Sequence, residues 1–245
     1  MGLLDLFKKK EPGAASSKGD RDLARLEKLV SSKFSQNLDR QDALDRLSQM
    51  GTAGAATALL KRFTWTLDPT ITDQEEKAVV VAGLVKAGKE ALEPIRSHCA
   101  RAESVTWPLK ALRQILSGDE LVQELLTLLD QFDTDYVRNP EPKVQLLQAL
   151  GEHPSEDVRI AAEPFITDAN EAVRFAAVTT VFAVEDPRSV PSLIAGLAEE
   201  ESLRIKNRIA GGLAERGWEI PEELRASCTS ALPPGYRLDG GVIRG

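Results

Sequence analysis

The stretch DANEAVRFAAVTTVFAVEDPRSVPSLIAGL, residues 168–197, contains two short amphipathic segments separated by a turn. In the first segment, apolar or small residues recur at offsets of 0, 3, 4, 7, 8 and 11, which is one face of an α-helix: Val173, Ala176, Ala177, Thr180, Val181 and Val184. Asp168 or Asn170 is the predicted N-cap of this helix, since either side chain can accept a backbone N–H. The helix must end at Glu185-Asp186-Pro187, because proline lacks the donor that a continuing helix needs.

The second segment is a shorter helix that begins just after this turn. Its apolar residues lie at offsets of 0, 3, 4 and 7: Val190, Leu193, Ile194 and Leu197. Pro191 is tolerated there only in the first turn, where backbone N–H groups have no helical partner. Neither helix is long enough to be stable alone in water, so each must pack against neighbours.

Pairs of this kind recur along the chain. The predicted first helices end near Gly51, Gly88, Gly118, Gly151, Val184 and Gly217, at spacings of 37, 30, 33, 33 and 33 residues. Glycine at a helix end is typical of a left-handed C-cap. A period near 33 with two helices per unit predicts an all-α fold, an α-solenoid (superhelix) of about six antiparallel helix pairs.

The residues also resemble a known family. DANEAVRFAA matches the D-x-N-x-x-V-R-x-A-A pattern of HEAT repeats, and EDPRSVPSLIAGL matches the D-P-x-x-V-P-x-L start of their second helix. The pattern resembles the short bacterial type, which is also found in phycobilisome-lyase-like proteins. The resemblance is strong over residues 152–217 and loose over 36–151. It implies that Asp168 and Arg174 form an internal hydrogen-bond ladder, and that Arg159 has a similar structural role.

Three regions are expected from these patterns. Residues 1–19 form an N-terminal apolar and basic segment with a linker, residues 20–232 form the HEAT-like solenoid, and residues 233–245 form a non-helical C-terminal tail that follows Pro233-Pro234. The tail is expected to cover the last repeat, because open solenoid ends expose core residues. An extended segment that contacts a partner is the alternative.

The N-terminal segment, MGLLDLFKKK, combines an apolar cluster with a basic one. Its candidate contact residues for a membrane or a partner are Leu3, Leu4, Leu6, Phe7, Lys8, Lys9 and Lys10. Such a segment can enter a membrane interface or dock in a groove of a partner. Two alternatives are a helix that caps the first repeat and a disordered segment.

Charge is distributed unevenly along the chain. The net charge is −7, yet residues 1–62 hold 12 Lys/Arg against 8 Asp/Glu, whereas residues 118–203 hold 5 Lys/Arg against 18 Asp/Glu. An acidic block can steer a basic partner, and it disfavours nucleic acid because it repels phosphates. A solvated outer face that maintains solubility is the alternative interpretation.

No catalytic, cofactor-binding or metal site is predicted. The only histidines are His98 and His153, and the only cysteines are Cys99 and Cys228, without the spacing of a zinc site or a nucleophilic constellation. Widely separated cysteines fit a reducing compartment. The sequence has no apolar run of about 18 residues, so no transmembrane helix is expected, nor is a secretory signal.

The candidate surface anchors are Trp65, Trp107 and Trp218.

These observations favour a non-catalytic protein–protein interaction scaffold or adaptor that the N-terminal segment recruits to a larger assembly or membrane surface. Expected partners are proteins, including ones with a basic surface, and the expected location is the cytoplasm, with peripheral contact at the inner face of the membrane through the N-terminal segment. One alternative is a tetrapyrrole-lyase-like HEAT enzyme or chaperone, implied by the resemblance. A HEAT-like nucleic-acid-binding protein is the third hypothesis.

Overall fold

The computed structural model describes residues 18–245, so the predicted contact residues Leu3, Leu4, Leu6, Phe7, Lys8, Lys9 and Lys10 lie outside the described residues. The all-α fold built from helical repeats is confirmed. The α-helices of the described part of the chain are α1 (Lys18–Val30), α2 (Asn37–Met50), α3 (Ala53–Leu60), α4 (Thr70–Ala87), α5 (Leu92–Cys99), α6 (Thr106–Ile115), α7 (Gly118–Leu129), α8 (Glu141–Gly151), α9 (Glu156–Ala162), α10 (Glu171–Val184), α11 (Val190–Glu199), α12 (Leu203–Arg216) and α13 (Arg225–Ala231).

From α2 onward these helices form six consecutive pairs, as the repeat spacing predicts, and α1 precedes the first pair. Short 3-10 turns adjoin several second helices. They follow α3 and α9, at Lys61–Thr64 and Glu163–Thr167, and precede α5, α11 and α13, at Gly88–Ala91, Pro187–Ser189 and Glu222–Leu224. The described residues divide into two compact units, one that ends at Pro94 and one that begins at Ile95, and the boundary falls within α5.

In the first unit, α1 packs on α2 and α3, and α2 lies alongside α4. The apolar stripes of these helices meet in a core of fully buried side chains that includes Leu26, Val30, Leu44, Leu47 and Leu84. Burying a side chain of this size contributes about 1.5–3 kcal/mol relative to exposure. This core therefore holds together helices that are individually too short to be stable.

In the second unit, first helices stack on first helices, because α10 lies between α8 and α12. Second helices stack likewise, with α7 against α9 and α11 against α13. This is the packing of an α-solenoid, in which each repeat contacts its sequence neighbours. The core includes Leu125, Leu146, Phe182, Leu193 and Ile209, all of them fully buried.

Helix ends follow the predicted positions with one exception. Gly51 and Gly217 are left-handed C-caps with φ of 60° and 61°. Glu185 occupies the equivalent position after α10 with φ 57°, a conformation that costs energy in a residue with a Cβ. The prediction for Gly118 is wrong: α6 ends at Ile115, and Gly118 is the first residue of α7.

The N-cap prediction for α10 needs a similar correction. Asn170 is the residue at the cap, but its side chain accepts no hydrogen bond from the first turn of α10. It accepts one from the backbone of Val137 instead, at 3.0 Å, and donates to the carbonyl of the same residue at 2.9 Å. The amide therefore ties the α10 turn to the loop before α8, a long-range contact that no local capping pattern predicts.

The tail forms a small antiparallel hairpin of β1 (Arg237–Asp239) and β2 (Val242–Arg244), with Leu238 opposite Ile243. Ile243 is fully buried, and the backbone N–H of Ile220 donates to Gly241 at 2.8 Å. Strand β2 contacts α12 and β1 contacts α13. The hairpin thus covers the apolar surface of the last helix pair.

Close packing of α10 on α12 depends on a glycine. A Cβ at Gly212 would lie 2.4 Å from the fully buried ring of Phe182. We expect Gly212→Ala to lower the free energy of unfolding by about 1–3 kcal/mol, because the overpacking outweighs the gain in helix propensity. Urea denaturation of the purified protein measures the change.

The adjacent Gly211 is the matched control. A Cβ there would meet only the hydroxyl of Tyr236, at 3.0 Å, which is the tip of a half-buried side chain that can move. Gly211→Ala should therefore change stability by less than Gly212→Ala. Equal losses from the two variants would contradict close α10–α12 packing as the cause.

Candidate interaction surface

A buried ion pair links the turn before α10 to α8. Lys143 Nζ, on α8, donates to Asp168 Oδ2 at 2.8 Å and to the carbonyl of Asp135 at 2.9 Å. Asp168 Oδ1 accepts the backbone N–H of Asn170 at 2.7 Å. Both charged side chains are almost fully buried, so each needs the other to offset its loss of hydration. Asp168 thereby connects one helix pair to the preceding pair.

Arg174 reaches in the opposite direction along the stack. Its Nε and Nη2 donate to the two carboxylate oxygens of Glu200 at 2.8 and 2.9 Å. Its Nη1 donates to the backbone carbonyl of Asp168 at 3.0 Å. The Asp168 carboxylate accepts no hydrogen bond from Arg174, because its two oxygens accept from Lys143 and from the backbone N–H of Asn170. The predicted ladder residues are therefore joined through a backbone oxygen.

The pKa of Glu200 is displaced by its surroundings. Burial would raise it, but the hydrogen bonds from Arg174 and from the backbone of Ser202, together with the Arg174 charge, hold it below its usual value. The pKa of Arg174 is correspondingly raised, chiefly by its hydrogen bonds to Glu200. The pair is therefore fully charged at neutral pH.

Arg159 takes part in a separate polar contact between α9 and α11. Its Nη1 donates to Glu163 Oε1 at 2.8 Å, and its Nε lies 3.3 Å from Asp186 Oδ2. Glu163 also accepts hydrogen bonds from the hydroxyls of Ser189 and Ser192, at 2.7 and 3.0 Å. These contacts place Arg159 in a link between adjacent second helices.

In the first unit, a buried charge network was not predicted from the sequence. Glu76 accepts from Arg40 Nε and Nη2 and from Arg62 Nε, the last at 2.6 Å. Asp73 accepts from Arg62 Nη2 and Lys77 Nζ, each at 2.7 Å. Burial would raise the pKa of Asp73, yet its hydrogen bonds to Lys77 and Arg62 lower it overall. The available signal was the i, i+3, i+4 spacing of Asp73, Glu76 and Lys77 in α4.

The three tryptophans are half-buried. The Arg62 guanidinium lies 3.7 Å from the Trp65 ring, and the Lys110 ammonium lies 4.0 Å from the Trp107 ring. Trp218 packs near Phe182, with ring centroids 5.9 Å apart. Each ring therefore already has an intramolecular partner, and their role as surface anchors stays a prediction.

His98 and Cys99 are adjacent at the end of α5, His153 follows α8, and Cys228 lies in α13. Burial, with a contribution from the Glu124 charge, raises the pKa of the Cys99 thiol to about 12. Burial also raises the pKa of Cys228 and lowers that of His98. Both thiols are thus protonated at neutral pH, which disfavours nucleophilic chemistry. Within residues 18–245, no group of three or more His, Cys, Asp or Glu side chains could hold a metal ion.

An open groove of about 840 Å³ lies between α7 and α9 of the second unit. We call it the α7–α9 groove. Its apolar surface includes Leu126, Phe132 and Ile160. Its acidic rim is formed by Asp130, Asp133 and Asp157. A smaller polar depression of about 210 Å³ lies between α6 and α8 and contains the ion pair of Arg113 with Glu152, at 2.9 Å.

The α7–α9 groove lies within a segment that comparison with known families identifies. Residues 122–214 match the family described as HEAT repeats. This segment consists of HEAT repeats. The matched segment extends from α7 to α12, so it includes the groove, the Lys143–Asp168 pair and the Arg174–Glu200 pair. HEAT repeats generally mediate protein–protein interaction and are typically non-catalytic. No curated protein matches the chain significantly.

None of the helices in residues 18–245 combines the length and the apolar composition needed to cross a bilayer.

The Arg174–Glu200 contact between HEAT repeats predicts a pH-dependent stability. At neutral pH, Glu200→Gln should lower the free energy of unfolding by about 1–3 kcal/mol, because Arg174 loses its counter-charge. The folded-state pKa of Glu200 lies below the unfolded value of about 4.3. The contribution of the pair is therefore fully present above that value and is lost as pH falls through the folded-state pKa.

Urea denaturation of both proteins between neutral pH and pH 3 tests this. The difference between wild type and Glu200→Gln should be greatest near neutral pH and should decrease as the solution is acidified. Glu201→Gln, at an exposed neighbouring carboxylate, is the control and should cost little at any pH. A pH-independent difference would show that the ion pair is not the cause.

Proposed function

We propose that the protein is a non-catalytic scaffold or adaptor that binds other proteins through its HEAT repeats. The observation that carries the proposal is the α7–α9 groove, an open concave surface with apolar and acidic side chains. Function in a repeat protein depends on surface side chains rather than on the fold. Buried, protonated thiols in Cys99 and Cys228 agree with a role that does not need a nucleophile.

Partners with a basic surface are favoured by charge. The acidic block of residues 118–203 holds 18 Asp/Glu against 5 Lys/Arg and overlaps the matched HEAT segment. Such a field accelerates encounter with a basic protein. It also repels phosphate backbones, so a nucleic-acid-binding function has less support.

Recruitment is assigned to residues 1–19. An apolar cluster followed at once by Lys8, Lys9 and Lys10 suits reversible binding to a partner groove or to an anionic membrane surface. A segment this short binds membranes only weakly, with about 1 kcal/mol from each lysine near anionic lipid. We accordingly place the protein in the cytoplasm, with peripheral contact at the inner face of the membrane.

A tetrapyrrole-lyase-like enzyme or chaperone is the alternative considered from the sequence. It would require a pocket in which groups such as Arg, Tyr and Cys converge. Cys99 is fully buried and has a pKa of about 12, while the exposed Tyr136 lies in the loop between α7 and α8. The scaffold proposal therefore has better support.

Affinity capture from a lysate of the native cells tests recruitment, using the full chain and a variant that lacks residues 1–19. We expect the full chain to retain partner proteins and the deletion variant to lose the assembly or membrane fraction, because the apolar and basic cluster is gone. Mass spectrometry of the bound fractions provides the measurement.

A full-length variant with Leu3, Leu4, Leu6 and Phe7 replaced by Ser is the matched control, and it should behave like the deletion. If the full chain and the deletion variant retain the same proteins in equal yield, the recruiting role of residues 1–19 is wrong. If neither retains any protein while the purified chain modifies a tetrapyrrole adduct, the scaffold function is wrong.

A further inference from the structure

We propose that the α7–α9 groove binds a basic amphipathic segment of a partner protein. An apolar side chain of the segment lies against Ile160 and Phe132, and its Lys or Arg side chains pair with Asp130, Asp133 and Asp157. The inference rests on the proposed scaffold function and specifies the site and the chemistry of the partner.

The apolar part of the groove is accessible. Ile160 is 54% exposed, although it lies on a helix whose flanking residues Val158 and Ala162 are fully buried. Leu126 on α7 and Phe132 in the following loop are half-buried, so part of each side chain also remains in contact with water. An isolated exposed apolar residue is ordinary, but three that line one concavity form a surface that can bury an apolar side chain of a ligand.

The carboxylates of the acidic rim have no cationic partner among the described residues. No Lys or Arg lines the groove. Asp133 accepts the backbone N–H of Asp135 at 3.1 Å, and Asp157 accepts a long hydrogen bond of 3.5 Å from Gln123. Neither these carboxylates nor Asp130 forms an ion pair within residues 18–245. Each is exposed, so pairing with an incoming cation requires no intramolecular ion pair to break.

Nearby carboxylates outside the groove do form ion pairs. Glu124, on the same helix α7, is buried and paired with Arg96 at 2.5 Å, and Glu163, just after α9, is paired with Arg159 at 2.8 Å. The arginines of this region thus satisfy the carboxylates that hold helices together and leave those of the groove without cations. An apolar floor with an acidic rim is complementary to a segment that alternates apolar and basic residues.

The shape favours a peptide segment over a small molecule. The groove runs between α7 and α9 and is open to solvent, whereas sites for small ligands bury most of the surface of the ligand. An amphipathic helix of a partner can place its apolar face in such a groove and its basic residues on the rim. A partner protein with a Leu/Lys-type segment is therefore the occupant that fits the described side chains.

The test uses a fluorescein-labelled amphipathic peptide of Leu and Lys, a Leu/Glu peptide of the same pattern, and the full chain. Fluorescence anisotropy at low salt should detect binding of the Leu/Lys peptide only. The triple variant Asp130→Asn, Asp133→Asn, Asp157→Asn should weaken that binding by about tenfold, and Ile160→Ser should weaken it several-fold. Salt should weaken wild-type binding more than binding of the triple variant, since exposed charges are screened.

The matched control replaces three exposed carboxylates of the same acidic block that lie outside the groove: Asp119→Asn, Glu199→Gln and Glu201→Gln. This variant changes net charge equally and should retain near wild-type affinity. Thermal melts of all variants check folding. Hydrogen–deuterium exchange should show protection by the peptide at residues 126–134 and 157–165. Equal losses in both triple variants, or protection elsewhere, would overturn the groove assignment in favour of a diffuse charge effect.

Lysate capture with the full chain separates this inference from the scaffold function. If capture succeeds but the Leu/Lys peptide does not bind, or binds the groove variants as well as wild type, the groove assignment is wrong and the scaffold function stands. If the full chain also captures nothing from the lysate, the scaffold function is wrong as well.

Discussion

Burial of one apolar stripe per helix against the neighbouring pair is the constraint on which this structure depends. The helices range from 7 residues in α9 and α13 to 18 in α4, and most are too short to be stable alone. Stacking of first helices on first helices and of second helices on second helices provides the missing stability. Gly212 shows how tight this contact is, since its lack of a Cβ admits the ring of Phe182.

Apolar stripes alone would allow neighbouring helices to slide, and the buried charges limit such slippage. Lys143 with Asp168 and Arg174 with Glu200 join α10 to the pairs before and after it. Arg62, Glu76 and Asp73 do the same for the helices of the first unit. A charge moved out of such a pair would be buried without a partner, which costs several kcal/mol. These contacts therefore favour one register over its alternatives.

The surface follows from the same division of charges. The arginines and lysines of the HEAT segment are few, and several of them are committed to contacts between helices. The excess acidic residues of residues 118–203 consequently remain on the outside, including those that surround Ile160 at the α7–α9 groove. The carboxylates that hold helices together thus differ from those at the groove by whether an intramolecular cation reaches them, as the contrast between Glu124 and Asp130 illustrates.

The sequence by itself determined the helical periodicity, the repeat spacing and the HEAT character, because these depend on local preferences and on the interval between apolar residues. The stripe that begins at Val173 and the stops at Gly51 and Pro187 could therefore be read directly. Only the tertiary structure decided that Asp168 pairs with Lys143, that Gly118 begins a helix, that the tail is a hairpin and that Asp130, Asp133 and Asp157 surround one groove. These features depend on residues far apart in the chain, and the geometry that joins them exists only after the helices have packed.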